Sequence, residues 1–260
     1  MVNKQTPLII GAIHLPYYGR NNPEVKMDYL KEYVLKNVEV FYKNGIKCVY
    51  IQDENLEMEA AQPETIAILS VLGYMVKQNF PDIMLGIIIQ AHDGIAPIAI
   101  ANACGADFVR MKVFAGTMLK AEGIRVGVGI YAEQYCVMTN SNVKIYADIH
   151  DREGIPLEGA AITDTAGWAV RYGADGLIIT GKTFDETLSY LKLLRKQGIN
   201  KPLIVGGGVN EKNIKTILEL ADGAVVSTSL MLDEPMEGSL IRWDGNKIRK
   251  FTKSVAQCIS

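Results

Sequence analysis

Short apolar runs rich in β-branched residues recur along the chain and alternate with amphipathic stretches. Runs of this kind are typical of parallel strands that are buried on both faces. There are eight of them, at residues 8–13, 47–51, 84–89, 107–111, 144–149, 175–180, 202–205 and 223–227. Their starts are about 31 residues apart on average, which suits one strand–helix unit each.

The stretches between the runs have the periodicity of helices, most clearly at 27–44, 63–79, 185–197 and 210–220. Several end in a glycine just before the next run, as at Gly45, Gly105, Gly173 and Gly198. A helix C-cap at these places needs a positive φ, which glycine adopts without strain. No linker or change of composition divides the chain, so we expect one α/β domain over residues 1–260.

The number of units decides between two folds. Eight units in 260 residues favour closure into a (β/α)₈ TIM barrel, which needs roughly 250 residues. A doubly wound open sheet is the alternative that the same alternation permits.

Composition narrows the possible partners. The chain is 48% apolar and 22% charged, and its 27 basic and 29 acidic side chains leave a net charge of −2. A nucleic-acid polymer is therefore not expected as a partner, because its binding surfaces carry a basic excess. No run approaches the roughly 20 apolar residues of a membrane span, and no signal-peptide pattern opens the chain. Four scattered cysteines indicate reduced thiols, so we expect a cytoplasmic protein without membrane insertion.

In a TIM barrel the working face lies at the C-terminal ends of the strands, so the residues that follow each run are the site candidates. All three histidines of the chain occupy such positions, although a single histidine there could simply cap a backbone group. The candidate catalytic set is His14, Asp53, His92, Asp93, Arg110, Lys112, Asp148 and His150.

Each residue type in this set suits a role. Asp148 and Asp53 could act as general base and acid, and His14 or His92 could polarise a carbonyl or hydroxyl group. Arg110 and Lys112 could stabilise developing negative charge. A Schiff base on Lys112 is a weaker alternative.

The loops after the last three runs are the candidate phosphate site. Loops after strands seven and eight of a barrel commonly bind the phosphate of a substrate, and glycine lets the backbone approach an anion closely. We also expect the N-terminus of the helix that follows at residue 211 to contribute. Lys182 could add a cation. The candidates are Thr180, Gly181, Gly206, Gly207, Gly208, Ser227 and Thr228.

Three further questions stay open at this level. A divalent metal is possible, held by His14, His92 or His150 with nearby aspartates, although the chain has no closely spaced ligand pair. Residues 116–129 could form a mobile lid or a packed, rigid segment. Residues 232–245 are expected to cross the barrel surface.

Several motifs resemble the BtpA family, which includes the SgcQ-type proteins. They are the opening IGAIHLP at 10–16, the segment HDGIAPIAIANACGADFVR at 92–110, Gly116, Glu122-Gly123, Asp148, ADGLIITG at 174–181, GGGV at 206–209 and ADG at 221–223. The resemblance covers nearly the whole chain. It implies a TIM-type barrel related to the phosphate-binding barrels. One branch of that family is linked to photosystem I biogenesis, and another, beside sugar-uptake genes, carries a nucleoside-triphosphatase label.

The resemblance transfers site roles to His14, Asp93, Arg110, Asp148 and Thr180. This chain departs from the family pattern at three places, where Gln52-Asp53 replaces Glu-Asn, His92-Asp93 replaces Asn-Asp and Arg152-Glu153 replaces Lys-His. His92 and His150 therefore rest on the strand-end argument alone, and the substrate could differ from that of other members.

The leading hypothesis is an enzyme that acts on a small phosphorylated sugar, nucleoside or nucleotide by acid–base chemistry, as an isomerase, lyase or hydrolase. A non-catalytic assembly factor of the photosystem I type is one alternative, and a regulator that binds a phosphorylated ligand is another. We also expect a homo-oligomer.

Overall fold

The eight predicted runs are all strands in the structure. The computed structural model describes residues 6–55, 60–157 and 160–258, so the expectation about the first five residues lies outside it. The helices and strands are β1 Leu8–His14, α1 Met27–Lys43, β2 Cys48–Gln52, α2 Pro63–Asn79, β3 Met84–Ile88, α3 Ala96–Cys104, β4 Phe108–Met111, β5 Thr117–Lys120, β6 Gly123–Val126, α4 Gly129–Thr139, β7 Lys144–Ile149, β8 Ile155–Pro156, α5 Ile162–Arg171, β9 Gly176–Ile179, α6 Phe184–Lys196, β10 Leu203–Val205, α7 Ile214–Leu218, β11 Gly223–Val226 and α8 Gly245–Ala256.

Eight of these strands form a closed parallel ring in the order β1-β2-β3-β4-β7-β9-β10-β11. The ring closes because β1 pairs on both sides, with Gly11 beside Val49 of β2 and Leu8 beside Gly223 of β11. The (β/α)₈ barrel prediction is confirmed, and the open-sheet alternative is wrong. Since all eight strands are parallel, their C-terminal ends meet at one mouth.

The barrel interior is filled by alternate residues of the strands. Ile10, Tyr50, Phe108, Tyr146 and other inward side chains form one buried cluster, as expected when every second residue points to the same face. The rings of Phe108 and Tyr146 pack at 4.9 Å between centroids. A Cβ at position 86 would lie 2.3 Å from Phe108, so Gly86 provides the space for that ring.

The helices pack on the outside of the ring through a second, larger core. Residues 232–245, which were expected to cross the barrel surface, are partly buried in this outer core. Trp243 is buried and packs against Phe41 of α1 at 5.6 Å between ring centroids. Buried Asn37 of α1 accepts from the Arg242 N–H and donates to the Leu240 carbonyl.

The sequence patterns missed a small antiparallel sheet beside the barrel. Residues 116–129, the candidate lid, contain the hairpin β5–β6, and β8 pairs with the other side of β5. The Gly127 N–H also donates to the Gly116 carbonyl at 2.7 Å. The segment is thus packed as a sheet, because β8, an insertion after β7, supplies a third strand for the hairpin.

Candidate functional site

A cavity of about 650 Å³ opens at the C-terminal mouth of the barrel. Its walls continue the inward-facing positions of the strands, because side chains two residues apart share a face. Four predicted catalytic residues and six predicted phosphate-binding residues line it. They are His14, Arg110, Lys112, Asp148, Thr180, Gly206, Gly207, Gly208, Ser227 and Thr228.

Arg110 and Asp148 form the centre of the charged wall. The Arg110 guanidinium donates to both oxygens of Asp148 at 2.8 and 2.9 Å, and a third donation reaches the Tyr50 hydroxyl at 2.9 Å. Burial acts to lower the pKa of Arg110, but the Asp148 carboxylate and Tyr50 outweigh it and raise that pKa. Burial also raises the pKa of Tyr50. Arg110 therefore keeps its charge, and both oxygens of Asp148 are held by this bidentate partner.

His14 has a carboxylate partner that the sequence patterns did not single out. Its Nδ1 lies 2.6 Å from Oε1 of Glu54, and Gln52 Nε2 donates to the same oxygen at 2.8 Å. A carboxylate on one ring nitrogen fixes the orientation of a histidine, which suits a general acid–base group. His14 is therefore equipped for proton transfer at the cavity surface.

Lys112 is a second cation on this wall. Its Nζ donates to Oε1 of Gln90 at 3.0 Å, and no ion pair joins it to a carboxylate of the described ranges. Because its hydrogen bond goes to an amide rather than to a carboxylate, the Lys112 ammonium can stabilise negative charge on a bound molecule.

The glycine wall is shaped by close approach. A Cβ at position 206 would lie 2.4 Å from Thr180 Oγ1 and 2.5 Å from the Ile178 side chain, so only glycine fits there. Gly208 has a φ of 71°, which glycine adopts readily. Its carbonyl accepts a hydrogen bond from the Asn213 side chain at 2.8 Å.

Arg152 lies over this wall. Its Nη1 is 3.1 Å from the position that a Cβ on Gly207 would occupy. No ion pair joins Arg152 to another side chain in the part of the chain that the structure describes. The arrangement places a guanidinium beside a glycine loop, which is a suitable environment for an anion.

Three features of the predicted phosphate site are corrected. The N–H of Gly181 donates to Thr187 Oγ1 at 2.9 Å and the residue does not line the cavity, so it is not available to a ligand. The helix after the glycine loop is α7, which begins at Ile214 rather than residue 211 and is only five residues long. Lys182 also lies outside the cavity, at the start of α6.

Thr180, unlike Gly181, lines the cavity and has a hydrogen-bonding group that is not already used within the described residues. Its side chain lines the cavity, and its buried Oγ1 has no hydrogen-bond partner among the described residues. A buried hydroxyl without a partner costs about 1–3 kcal/mol. A ligand oxygen or an ordered water molecule in the cavity could satisfy it.

Four predicted catalytic residues lie outside this cavity. Asp53 is fully buried, and its Oδ1 accepts the Gln90 N–H at 2.8 Å. Asp93 receives the N–H groups of Ile95 and Ala96 at the start of α3. His150 contacts Thr165 Oγ1 at 3.1 Å. The side chains of Asp53 and His150 thus contact neighbouring segments, and Asp93 holds the N-terminus of α3.

His92 is the fourth, and it lies with Asp93 in a second cavity of about 280 Å³ beneath the small sheet. Its Nε2 is 2.7 Å from the Val126 carbonyl. Burial lowers the pKa of both His92 and His150. Gln90, Arg110, Lys112 and Glu153 line both cavities, so the two spaces adjoin.

The small sheet contributes charged groups to this second cavity. Lys120 donates to Asp151 Oδ2 at 2.6 Å, and both side chains are buried. Burial acts to raise the pKa of Asp151, but the bond from Lys120 and the Glu153 N–H outweigh it and lower that pKa. Arg125 lies 3.6 Å from Glu122. The charges here are largely balanced.

Two residues at the C-terminal edge of the barrel have strained backbone conformations. Val113, after β4, has a φ of 46°, and His150, after β7, has a φ of 58°. Left-handed conformations of such residues cost energy and cluster at functional sites. The strain at His150 also explains why its side chain leaves the inward-facing series of Tyr146 and Asp148.

The candidate metal ligands are not gathered. Within residues 6–55, 60–157 and 160–258, no group of three or more His, Cys, Asp or Glu side chains is arranged to hold a metal ion. His14, His92 and His150 have separate surroundings, as described above.

Several residues that line the main cavity were not in the candidate set: Tyr50, Gln52, Glu54, Gln90, Asp151, Arg152, Glu153, Asn210 and Ser229. The two-residue alternation could have found some of them. Tyr50, Gln52 and Glu54 share one face of β2 and its extension, whereas Asp53 has the opposite parity. Gln90 likewise continues the inward series of Ile88.

The closed parallel ring with its polar mouth defines the chain as a (β/α)₈ TIM barrel. The chain belongs to the BtpA family, whose sequence model matches residues 4–257. The resemblance noted in the sequence is confirmed.

Two relatives illustrate how far the sequence similarity extends. An uncharacterised protein of Methanocaldococcus jannaschii is 28% identical over 263 residues, covering 98% of each chain. The photosystem I biogenesis protein BtpA of Synechocystis is 31% identical over 172 residues, covering 63% of this chain and 59% of that one.

Solved structures with the same fold are distant in sequence. Tryptophan synthase from M. tuberculosis superposes with a TM-score of 0.61 at 11% identity, covering 99% of this chain and 93% of that one. 3-Hexulose-6-phosphate synthase from Salmonella typhimurium gives 0.53 at 13% identity, and phosphoribosyl anthranilate isomerase from Thermus thermophilus gives 0.53 at 11%. Each of these two covers 96% of this chain and 98% of its own. At such low identity the likeness shows the fold alone.

Membrane insertion was not expected from the sequence. In the described ranges, no helix combines the length and apolar character needed to cross a membrane.

Proposed function

We propose that the chain is an enzyme that converts a small phosphorylated metabolite by acid–base catalysis at the barrel mouth. One observation carries the proposal: a single cavity has an unpaired guanidinium beside a glycine loop on one wall and a histidine–carboxylate pair on another. The first arrangement suits a phosphate group, and the second suits proton transfer.

The phosphate would lie against Gly206, Gly207 and Gly208, within reach of Arg152. Ser227 and Thr228 line the same wall, and the unpartnered Thr180 hydroxyl adds a donor. The names of two proteins with this fold refer to phosphorylated compounds, a hexulose 6-phosphate and a phosphoribosyl anthranilate. This agreement supports the substrate class.

The proton transfer is assigned to His14, with Glu54 orienting its ring. This differs from the initial assignment to Asp148 and Asp53, because Asp148 is held by Arg110 and Asp53 faces away from the cavity. Lys112 and the paired Arg110 would stabilise negative charge that develops on the substrate. An isomerase, lyase or hydrolase reaction is compatible with this arrangement.

Thermal unfolding with inorganic phosphate and a panel of sugar phosphates, nucleotides and their unphosphorylated counterparts tests the binding step. A phosphorylated ligand at 100 times its Kd should stabilise the protein by about 2.7 kcal/mol. The G207D variant, whose carboxylate would pair with Arg152 in the anion position, should lose this effect and remain folded. Equal stabilisation of both proteins would contradict the proposal.

Product analysis by NMR on each stabilising compound tests catalysis. The H14Q variant should bind the ligand with unchanged affinity and lower kcat by about 10²–10⁴-fold, the usual contribution of a general acid–base group. Binding without any product would instead favour a ligand-binding regulator.

The name of the Synechocystis relative favours one rival function, a photosystem assembly factor. An assembly factor would keep its activity in a complementation assay when His14 and Arg152 are replaced. An enzyme would lose it.

A further inference from the structure

The sheet β5–β6–β8 has its polar and apolar faces reversed relative to an ordinary surface sheet. Met118, Lys120 and Arg125 point inward, and the latter two line the second cavity. Apart from Thr117, the outward side chains are apolar. A sheet with one solvated face normally carries polar residues there, so the reversal calls for a cover.

The strand register shows that the outward residues form continuous rows. Leu119 pairs with Ile124 on one side and with Ile155 on the other. Thr117 pairs with Val126, and its carbonyl accepts the Leu157 N–H. Residues paired across strands stand on the same face.

One helix residue extends this surface. Trp168 of α5 lies beside Gly116, which precedes β5, with its ring within 3.7 Å of that residue's Cβ position. We call the combined surface the outer face. It consists of Leu119, Ile124, Val126, Ile155, Leu157 and Trp168, which are 42–64% exposed.

We propose that the outer face is the contact surface between two copies of this chain in a homodimer. With about half of each side chain exposed, six such residues present on the order of 500 Å² of apolar surface, at the upper end for a monomer. A standard interface buries about 800 Å² per partner. The outer face therefore supplies most of what a stable dimer needs.

The form of the outer face favours a second copy over a different partner. Its six residues are all apolar, so they offer no charge to a nucleic acid or to a charged protein surface. The row Ile124–Leu119–Ile155 is also nearly symmetric about Leu119. A two-fold axis at Leu119 would bring Ile124 of each copy against Ile155 of the other, as a self-complementary interface requires.

Sedimentation equilibrium at micromolar concentration tests the proposal. The wild-type chain should be a dimer whose dissociation constant changes little with salt, because the interface is uncharged. The I124E/I155E variant should be monomeric, with a dissociation constant raised at least about 100-fold. Its circular dichroism and melting temperature at the same concentration would show that the monomer is folded.

V137E is the matched control, because Val137 of α4 is 78% exposed and lies outside the outer face. It should leave the dimer intact. A wild-type monomer at high micromolar concentration would overturn the proposal. So would a dimer that survives I124E/I155E in the folded state, or one that V137E dissociates.

Discussion

The two sides of the barrel mouth are built from different chemistry. The side formed by β1, β2, β4 and β7 carries charged and amide groups that hold one another, such as Arg110 with Asp148 and His14 with Glu54. The side formed by β9, β10 and β11 carries glycines, small hydroxyl residues and the overlying Arg152. The side chains of the first side hold one another in place, whereas the second side leaves space for a ligand.

Because the two sides differ in this way, they should tolerate different substitutions. On the charged side, removing one partner leaves a buried charge without compensation, so stability is at risk. On the glycine side, adding atoms fills space that a ligand would use, and removing the Thr180 hydroxyl relieves an unpartnered group. Mutations on the two sides should therefore separate stability from ligand binding.

The largest effect is expected for R110M. The variant leaves Asp148 buried without its bidentate partner, and such losses typically cost about 3–5 kcal/mol. Urea unfolding at neutral pH measures the change. The R110M/D148L double variant, which removes both charges, should recover much of the loss. If R110M lowered the free energy of unfolding by less than about 1 kcal/mol, the Arg110–Asp148 pair would not be a major contribution to stability.

G206A should have the next largest effect. Its methyl group would lie 2.4 Å from Thr180 Oγ1, and overpacking of this kind costs about 1–3 kcal/mol. Phosphate-dependent stabilisation should also be lost. G207A is the matched control, because the contact nearest its Cβ is the movable end of Arg152 at 3.1 Å. Equal losses of stability in the ligand-free G206A and G207A proteins would contradict the close approach at Gly206.

T180V should change stability by about 1 kcal/mol or less, and in the stabilising direction, because it removes a buried hydroxyl that lacks a partner. The same variant should bind phosphorylated ligands more weakly, since the proposed donor is gone. Thermal unfolding with and without ligand measures both effects. A clear loss of stability in the ligand-free protein would show that the hydroxyl is already satisfied.

The smallest effect concerns pH. Burial lowers the folded-state pKa of His92 and His150, so the unfolded chain binds more protons just below the ordinary histidine pKa of about 6.5. Their stabilising contribution is complete above that pH and is lost as the pH falls through the folded-state values. Urea unfolding between pH 5 and 7 should be less pH-dependent in an H92Q/H150Q variant. An unchanged slope would contradict the burial of these rings in their neutral form.

Local patterns predicted much of the barrel. The boundaries of β7 and α2 agree with the predicted runs, because strand and helix periodicity depend on neighbours within a few residues. The hairpin at 117–126 was not predicted, since its apolar residues face outward and its charges inward. Nothing in the neighbouring sequence explains that reversal. It follows from the position of the hairpin, which has the second cavity on its inner side and the outer face on its other side.

The number of βα units can be read from the amino-acid pattern alone, and with it the closed barrel and the edge at which polar residues collect. The two-residue alternation along β2 also determines that Glu54, rather than Asp53, reaches the mouth. The tertiary structure decided which side chains meet. Arg110 and Asp148 are 38 positions apart, and Arg152 comes to lie over Gly207 from another loop. The reason is physical: periodicity is set by local backbone geometry, whereas partners are set by ring closure and by the paths of individual loops.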